Sequence, residues 1–191
     1  MDEREQTLTE VTEHVETVFR GPIFRVEVSE VRLPNGKTAR RDVVRHPGAV
    51  CVLPIDQNGR VYLVRQWRAG YRGTMLEIPA GKLDPGETDA EKAAERELRE
   101  ETGAVAARMT PLGDYYGSPA ILEERIAMYL AEDLTFGETD FDEDEFLAPV
   151  TMSLDELVRE VLAGHVPDGK TQVAALRAYC MRRGLPGGTG V

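Results

Sequence analysis

The chain has 191 residues, with 34 acidic and 23 basic side chains and a formal net charge of −11 at pH 7. This length suits one well-buried domain and is short for two. The acidic balance argues against nonspecific binding to nucleic acid, which needs a basic surface that displaces counterions. The acidic first residues and the lack of a long apolar run exclude a secretory signal and a membrane span, so we expect a cytoplasmic protein.

The first predicted elements are strands. Residues 1–20 are polar and weakly patterned, and we expect a loose arm or a short helix there. From Phe24 onward, apolar residues alternate on both sides of Asn35-Gly36, a dipeptide that favours a tight hairpin turn. Three further strands are predicted at 48–55, 61–67 and 75–81.

A helix is predicted directly after the last of these strands. Thr88 and Glu91 have the spacing of a capping box at the start of a helix, and Gly103 is a typical helix stop. The helix carries glutamates three or four residues apart on one face: Glu97, Glu100 and Glu101. Like charges at this spacing destabilise a bare helix by roughly 0.2–0.5 kcal/mol per pair, a cost that a divalent cation would remove.

The glutamate cluster has two interpretations. Oxygen ligands without nearby His or Cys favour Mg²⁺, with Mn²⁺ as the alternative. A similar pattern is shown by an ordinary solvated helix that carries ion pairs on its surface, such as Glu95 with Arg99. Ala90, Ala94 and Leu98 form a different face that predicts packing on a sheet, which would leave the carboxylate face free.

Strands and two helices complete the chain. Residues 112–117 and 124–134 predict a second strand pair, and 146–152 a last strand. Ser153 and Glu156 repeat the capping box and begin a helix that stops at Gly164. A further helix is predicted over 170–183. Strands on either side of one central helix along the chain, with one or two later helices, together predict an α/β fold, a mixed sandwich.

The glutamates belong to a longer motif. Its fixed positions are Gly81, Glu87, Arg96, Glu97, Leu98, Glu100, Glu101, Gly103 and Ala104. The string resembles the signature of the Nudix hydrolases, Gx5Ex7REUxEExGU, in which U is an aliphatic or small apolar residue. One departure is that eight residues, not seven, separate Glu87 from Arg96, which leaves the spacing from Arg96 onward intact.

The resemblance implies a Nudix-type α/β/α sandwich that hydrolyses a nucleoside diphosphate linked to another moiety. It also implies that Mg²⁺, or Mn²⁺, is held by Glu97 and Glu101, with Glu100 and the backbone carbonyl of Ala80 as further ligands. Arg96 would orient these glutamates. Divalent ions suit this chemistry because they screen the charge of a pyrophosphate and orient a water molecule.

Residues outside the motif resemble the ADP-ribose pyrophosphatase branch of this family. Arg68 and Glu77 are similar to a pair that this branch carries into the substrate cleft. Arg68 is the expected pyrophosphate contact, because a guanidinium fork fits phosphate oxygens. Its alternative is a strand-edge cation paired with Glu77. Ser118 and Pro119 resemble a substrate-binding turn, with Ala120 where glycine is common, although a plain turn proline explains Pro119 as well.

The N-terminal strands also resemble that branch, in which they cross to a partner subunit. Arg40 and Arg41 are the corresponding candidates for contacting the adenosine half of a substrate. Two exposed basic residues on an edge strand are the alternative. On this resemblance we expect a homodimer, with an N-terminal arm and dimerisation strands over 1–46, a hydrolase domain over 47–183 and a flexible tail over 184–191.

An acidic loop supplies the candidate general base. Residues 138–145 hold six acids and no base. The resemblance places a water-activating glutamate here, and Glu143 is the first choice, with Glu145 as runner-up and Glu100 on the helix as a further catalytic candidate. A disordered acidic loop is the alternative.

The sequence thus predicts a Mg²⁺-dependent hydrolase that splits ADP-ribose into AMP and ribose 5-phosphate, with neither nucleic acid nor membrane as a partner. The alternatives are a hydrolase of another nucleotide sugar or a dinucleotide, and a module that senses an ADP-ribose-like ligand without cleaving it.

Overall fold

The structure is a computed structural model that describes residues 7–141 and 146–184. It forms two compact units, one of Met1–Gly48 with Tyr116–Glu124 and one of Ala49–Tyr115 with Arg125–Val191. The strands are β1 (Val11–Arg20), β2 (Arg25–Arg32), β3 (Thr38–Arg45), β4 (Ala49–Pro54), β5 (Arg60–Arg68), β6 (Gly73–Glu77), β7 (Ala80–Lys82), β8 (Ala104–Tyr115), β9 (Leu122–Glu123), β10 (Ile126–Phe136) and β11 (Leu147–Ser153). The helices are α1 (Ala90–Thr102), α2 (Leu154–Leu162) and α3 (Gly169–Arg182).

The first unit is a sheet with the strand order β1-β2-β3-β9. The hairpin predicted around Asn35-Gly36 is confirmed, because β2 and β3 pair in antiparallel fashion on either side of that turn. The loose arm or short helix predicted for residues 1–20 is wrong over Val11–Arg20, which is a strand paired with β2. Residues 1–6 lie outside the described part of the chain. The side chains of β1 are almost all exposed, so backbone pairing and β-branched valines and threonines form the strand without a buried face.

The second unit is built around a sheet with the strand order β7-β4-β10-β8. β4 lies in its interior and is buried on both faces. Val50 and Val52 join the apolar cluster of α1, while Cys51 and Leu53 join the cluster of α2 and α3. The helices therefore cover opposite faces of this sheet, and the predicted mixed α/β sandwich is confirmed.

A second sheet in this unit has the order β11-β5-β6. Although β4 and β5 are consecutive, they belong to different sheets, and the turn at 56–59 carries the chain from one to the other. Val61 and Leu63 of β5 and Leu76 of β6 share an apolar cluster with α2 and α3. β6 ends at Glu77, three residues before β7 begins, so the start of the motif is continuous with this sheet.

Three of the four predicted helix ends agree with the structure. Gly164, with a φ of 78°, follows the last residue of α2 by two positions. Ser153 caps α2 by accepting a hydrogen bond from the Glu156 N–H at 3.1 Å, and Gly103 ends α1 in the left-handed conformation. The capping box predicted at Thr88 is wrong, because Asp89 accepts from the Lys92 N–H at 3.3 Å and α1 begins one residue later. Aspartate is the stronger cap at this position.

None of the helices in the described part of the chain is long and apolar enough to span a membrane. The tail expected over 184–191 lies, apart from Gly184, outside the described residues.

Candidate active site

Two motif glutamates face the strand that precedes their helix. Glu97 is 8% exposed and Glu101 is 3% exposed, so the free carboxylate face expected for them is wrong. The backbone N–H of Ala80 donates to Oε1 of Glu101 at 3.4 Å. A Cβ added at Gly81 would lie 1.9 Å from Oε1 of Glu97. The carboxylates therefore pack directly on the Ala80-Gly81 backbone, and only glycine leaves room for Glu97.

Arg96 connects three carboxylates of the motif. Its Nη1 donates to Oε1 of Glu97 at 2.8 Å and to Oε2 of Glu100 at 3.0 Å. Its Nη2 donates to Oε2 of Glu87 at 3.3 Å. Burial alone would lower the pKa of Arg96, but Glu97 and Glu100 outweigh it and raise that pKa above its usual range. Arg96 thus holds the glutamates in one arrangement.

Glu87 keeps its place beside this arginine despite the extra residue before Arg96. It accepts the backbone N–H of Asp84 at 3.0 Å, which closes the loop between β7 and α1. The extra residue lies between Glu87 and the first residue of α1, in the segment Thr88-Asp89 that precedes the helix.

The end of α1 is bonded to the start of the acidic loop. Gly103 has a φ of 68° and its carbonyl accepts the N–H of Gly137 at 2.7 Å. A side chain at Gly103 would collide with the Gly137 carbonyl, since its Cβ would lie 2.4 Å away. The N–H of Asp140 donates to the Glu100 carbonyl at 3.0 Å. The predicted bases Glu143 and Glu145 lie outside the described residues.

Arg68 and Glu77 form the start of a chain of ion pairs. Arg68 donates from Nε and Nη2 to the two oxygens of Glu77 at 2.7 and 2.8 Å. Oε2 of Glu77 also accepts from Nζ of Lys170, which contacts Asp168 at 3.0 Å. Burial works to raise the pKa of Glu77, but Arg68 and Lys170 outweigh it and hold the pKa below its ordinary value.

Lys170 and its neighbour Thr171 are the residues that sequence reasoning missed. Oγ1 of Thr171 accepts the N–H of Ile78 at 2.9 Å, next to Glu77. A sequence signal was available, because Lys170, Ala174 and Ala178 recur at i, i+4 and i+8 on the buried face of α3. A lysine on such a face requires a buried anionic partner.

The other predicted substrate residues lie in the first unit. Arg40 is exposed and pairs with Asp42 at 2.7 Å, and Arg41 pairs with Glu10. The Ser118 carbonyl accepts the N–H groups of Ile121 at 3.1 Å and Leu122 at 2.9 Å. Exposed Pro119 thus occupies the second position of a β-turn, where proline is favoured.

The oxygen donors around Ala80 suit a hard divalent cation. Within residues 7–141 and 146–184, no three acidic, imidazole or thiol side chains converge as a ligand set of their own. Mg²⁺ is commonly bound through one or two carboxylates together with waters and substrate phosphates. Glu97 and Glu101 beside the Ala80 backbone match that donor set, and Arg96 is bonded to the carboxylates of both Glu97 and Glu100.

Replacing Gly81 by alanine should lower kcat by about 10- to 100-fold with little loss of stability. The new Cβ would overlap the carboxylate of Glu97, and the far end of that side chain can move away at low energetic cost but leaves its position. Steady-state kinetics and thermal unfolding check this. Gly70→Ala is the matched control, because a Cβ there meets nothing within 4 Å. An unchanged kcat in Gly81→Ala would contradict the packing described here.

Replacing Glu77 by glutamine should lower the free energy of unfolding at pH 7 by about 3 kcal/mol, because it removes the shared anion of a buried pair. The pKa of Glu77 is lowered from 4.5 in the folded chain, so its contribution is fully present above that value and is lost as the pH falls through the folded pKa. Urea unfolding at pH 7, 5 and 3.5 tests this, with exposed Glu30→Gln as control. A difference between wild type and Glu77→Gln that stays constant over this range would contradict it.

Comparisons with known proteins agree with the motif. The chain matches the family model described as NUDIX domain over residues 44–177. It is 40% identical over 171 residues to an ADP-ribose pyrophosphatase of Bacillus subtilis (strain 168), covering 88% of this chain and 92% of that protein. It is 39% identical over 167 residues to a methanol dehydrogenase activator of Bacillus methanolicus, covering 86% and 90%.

A solved structure shares the fold as well. The crystal structure of an ADP compounds hydrolase superposes with a TM-score of 0.72 at 27% identity, covering 94% of this chain and 98% of that one. The family match spans most of the chain and includes every residue of the motif from Gly81 to Ala104. The chain therefore belongs to the Nudix hydrolase family and is a Nudix pyrophosphohydrolase.

Proposed function

We propose that this enzyme hydrolyses the pyrophosphate bond of ADP-ribose to AMP and ribose 5-phosphate with Mg²⁺. The observation that carries the hydrolytic site is the packing of the Glu97 and Glu101 carboxylates on the Ala80-Gly81 backbone. The choice of substrate is supported by the relative named ADP-ribose pyrophosphatase, which aligns with 88% of this chain.

In this proposal Glu97, Glu101 and the Ala80 carbonyl hold the cation, with Glu100 as a further ligand. When bound, Mg²⁺, or Mn²⁺ in its place, would neutralise phosphate charge and lower the pKa of a coordinated water. Arg96 maintains the spacing of the glutamates through its bonds to Glu97 and Glu100. The ligand carboxylates are therefore arranged before substrate arrives, which reduces the reorganisation needed during reaction.

The remaining roles fall on Arg68 and the acidic loop. Among the residues that the structure describes, Glu77 accepts from Nε and Nη2 of Arg68, which leaves Nη1 for a phosphate oxygen. The Arg68 side chain is 41% exposed. Glu143, or Glu145 as runner-up, would accept the proton of the attacking water. The water oxygen bonds to one phosphorus as the bridging P–O bond breaks, and the two products are the monophosphates AMP and ribose 5-phosphate.

A substrate panel tests the proposal. ADP-ribose, other nucleotide sugars and dinucleotides are each incubated with the enzyme and Mg²⁺, and products are separated by ion-exchange chromatography. We expect the highest kcat/KM for ADP-ribose, with AMP as product. If another nucleotide sugar or a dinucleotide gives a higher kcat/KM, that compound takes the place of ADP-ribose as the proposed substrate. Tight binding of ADP-ribose without turnover of any panel member would identify a sensing module instead.

We also propose a homodimer formed through the first unit, in which Arg40 and Arg41 serve the partner's substrate. Support comes from apolar side chains of β1 that are about half exposed in the single chain: Val11, Val15, Val18 and Phe19. Sedimentation velocity of the whole chain and of a chain lacking residues 1–44 tests this. A truncated chain that is soluble, monomeric and unchanged in KM for ADP-ribose would contradict the shared site.

A further inference from the structure

The first turn of α3 carries a buried cation. Lys170 is 9% exposed, and its ammonium contacts the carboxylates of Glu77 and Asp168. Burial works to lower the pKa of Lys170, but Asp168 and Glu77 outweigh it and raise that pKa, so the side chain is charged. A buried ammonium is costly unless it is paired, and removing one partner of such a group is strongly destabilising. The position of Lys170 is thus tied to that of Glu77.

Glu77 in turn fixes the orientation of the Arg68 side chain. Its two oxygens receive Nε at 2.7 Å and Nη2 at 2.8 Å, a bidentate geometry that fixes the guanidinium plane. Lys170 contacts Oε2 of the same carboxylate, which limits rotation of Glu77 about its last torsion. Arg68 is part-exposed, so without a fixed Glu77 its long side chain would sample many rotamers.

Thr171 holds the backbone beside Glu77. It is fully buried, its Oγ1 accepts the Ile78 N–H at 2.9 Å, and the hydroxyl donates to Oδ2 of Asp168. The Pro79 carbonyl, one residue further, accepts the N–H of Val52 at 2.9 Å. These bonds fix the chain between the end of β6 and Ala80.

We propose that the first turn of α3 is a positioning clamp. Lys170 fixes the orientation of Glu77, and Glu77 in turn directs the Arg68 guanidinium toward the substrate. Thr171 fixes the backbone that leads to Ala80. The inference rests on the proposed function of Arg68 and Ala80. Neither Lys170 nor Thr171 touches the substrate, and both act through the residues they hold. The clamp therefore adds two positioning residues, on an element that follows the motif by more than sixty positions.

Lys170→Met tests the first arm of the clamp. It should raise KM for ADP-ribose by about tenfold or more and change kcat less, because a misaimed Arg68 weakens substrate binding. Lys37→Met, on an exposed lysine of the β2–β3 turn, is the control and should keep wild-type KM. The double variant Lys170→Met/Glu77→Gln removes the carboxylate charge that the single variant leaves under-paired. It should fold and show at least the same rise in KM.

Thr171→Val and Thr171→Ser test the second arm. Valine keeps the shape and loses the hydroxyl, whereas serine keeps the hydroxyl and loses a buried methyl group. We expect kcat to fall about tenfold or more in Thr171→Val and to stay within about twofold of wild type in Thr171→Ser, although both are less stable. Activity that follows the melting temperature of the two variants, and not the hydroxyl, would overturn the positioning role.

Calorimetric titration with α,β-methylene ADP-ribose, which lacks the cleavable P–O–P bridge, separates this inference from the proposed function. Weaker binding to Lys170→Met than to wild type supports the clamp. Equal binding to both, with equal KM, overturns the clamp and leaves the proposed function standing. A wild type that neither binds the analogue nor hydrolyses ADP-ribose overturns the proposed function and the clamp with it.

Discussion

Glu97→Gln or Glu101→Gln should reduce kcat for ADP-ribose by at least about 10³-fold while the chain still folds. Each change replaces a charged oxygen donor by a neutral amide of the same shape at a nearly buried position beside Ala80 and Gly81. The amide fills the same space but binds a divalent cation far less strongly. Steady-state kinetics at saturating Mg²⁺, with thermal unfolding of each variant, provides the measurement.

The matched control is Glu95→Gln, on the exposed side of the same helix, which changes the net charge equally. It should keep wild-type kcat. Calorimetric titration with Mn²⁺ should show a weaker metal affinity in Glu97→Gln and Glu101→Gln, but not in the control. A loss of kcat below tenfold in either variant would remove the metal-ligand assignment.

Glu143→Gln should lower kcat by about 10²–10⁴-fold with little change in KM, the pattern of a group that acts mainly in the transition state. Glu143 is three residues beyond Asp140, whose N–H is bonded to the Glu100 carbonyl. In the proposal the base thus follows, in sequence, the part of the loop that is bonded to the end of α1.

The same loop provides the controls for this assignment. Glu138→Gln removes an exposed acid two residues before Asp140 and should leave kcat near the wild-type value. The pH profile of kcat/KM should lose its acidic limb in Glu143→Gln if the carboxylate takes the proton. If Glu145→Gln loses activity and Glu143→Gln does not, the base is Glu145 and the register along the loop is wrong.

Local patterns predicted most of the fold. The Asn35-Gly36 turn, the Ser153 cap and the Gly103 stop each depend on residues close in the chain, so they could be recognised from sequence. β1 could not, because its stability comes from backbone pairing with β2 and leaves no buried face to mark it. Asp89, and not Thr88, is the cap of α1. Both residue types can cap a helix, and the spacing of the motif alone does not show which of the two neighbours does so.

The candidate site, too, was predicted from the sequence only in part. The spacing of the motif indicated which glutamates share a helix face, but it gave no sign that Glu97 and Glu101 would be buried on Ala80 and Gly81. The burial of these two carboxylates depends on how β7 packs against α1 in the tertiary structure. The sequence proposed Arg68 as a phosphate contact, with an ion pair to Glu77 as the alternative, and the structure contains that ion pair. The contact of Lys170 with Glu77 depends on the docking of α3.

The bonds from Thr171 to Ile78 and from Lys170 to Glu77 each join residues 93 positions apart in the chain. Contacts of such separation close large loops and are slow to form, whereas helices and hairpins appear early. A chain still emerging from the ribosome can thus complete α1 and its glutamates long before Asp168–Thr171 has been synthesised. Full competence should then arise in one late step of folding, when α3 docks on the sheet.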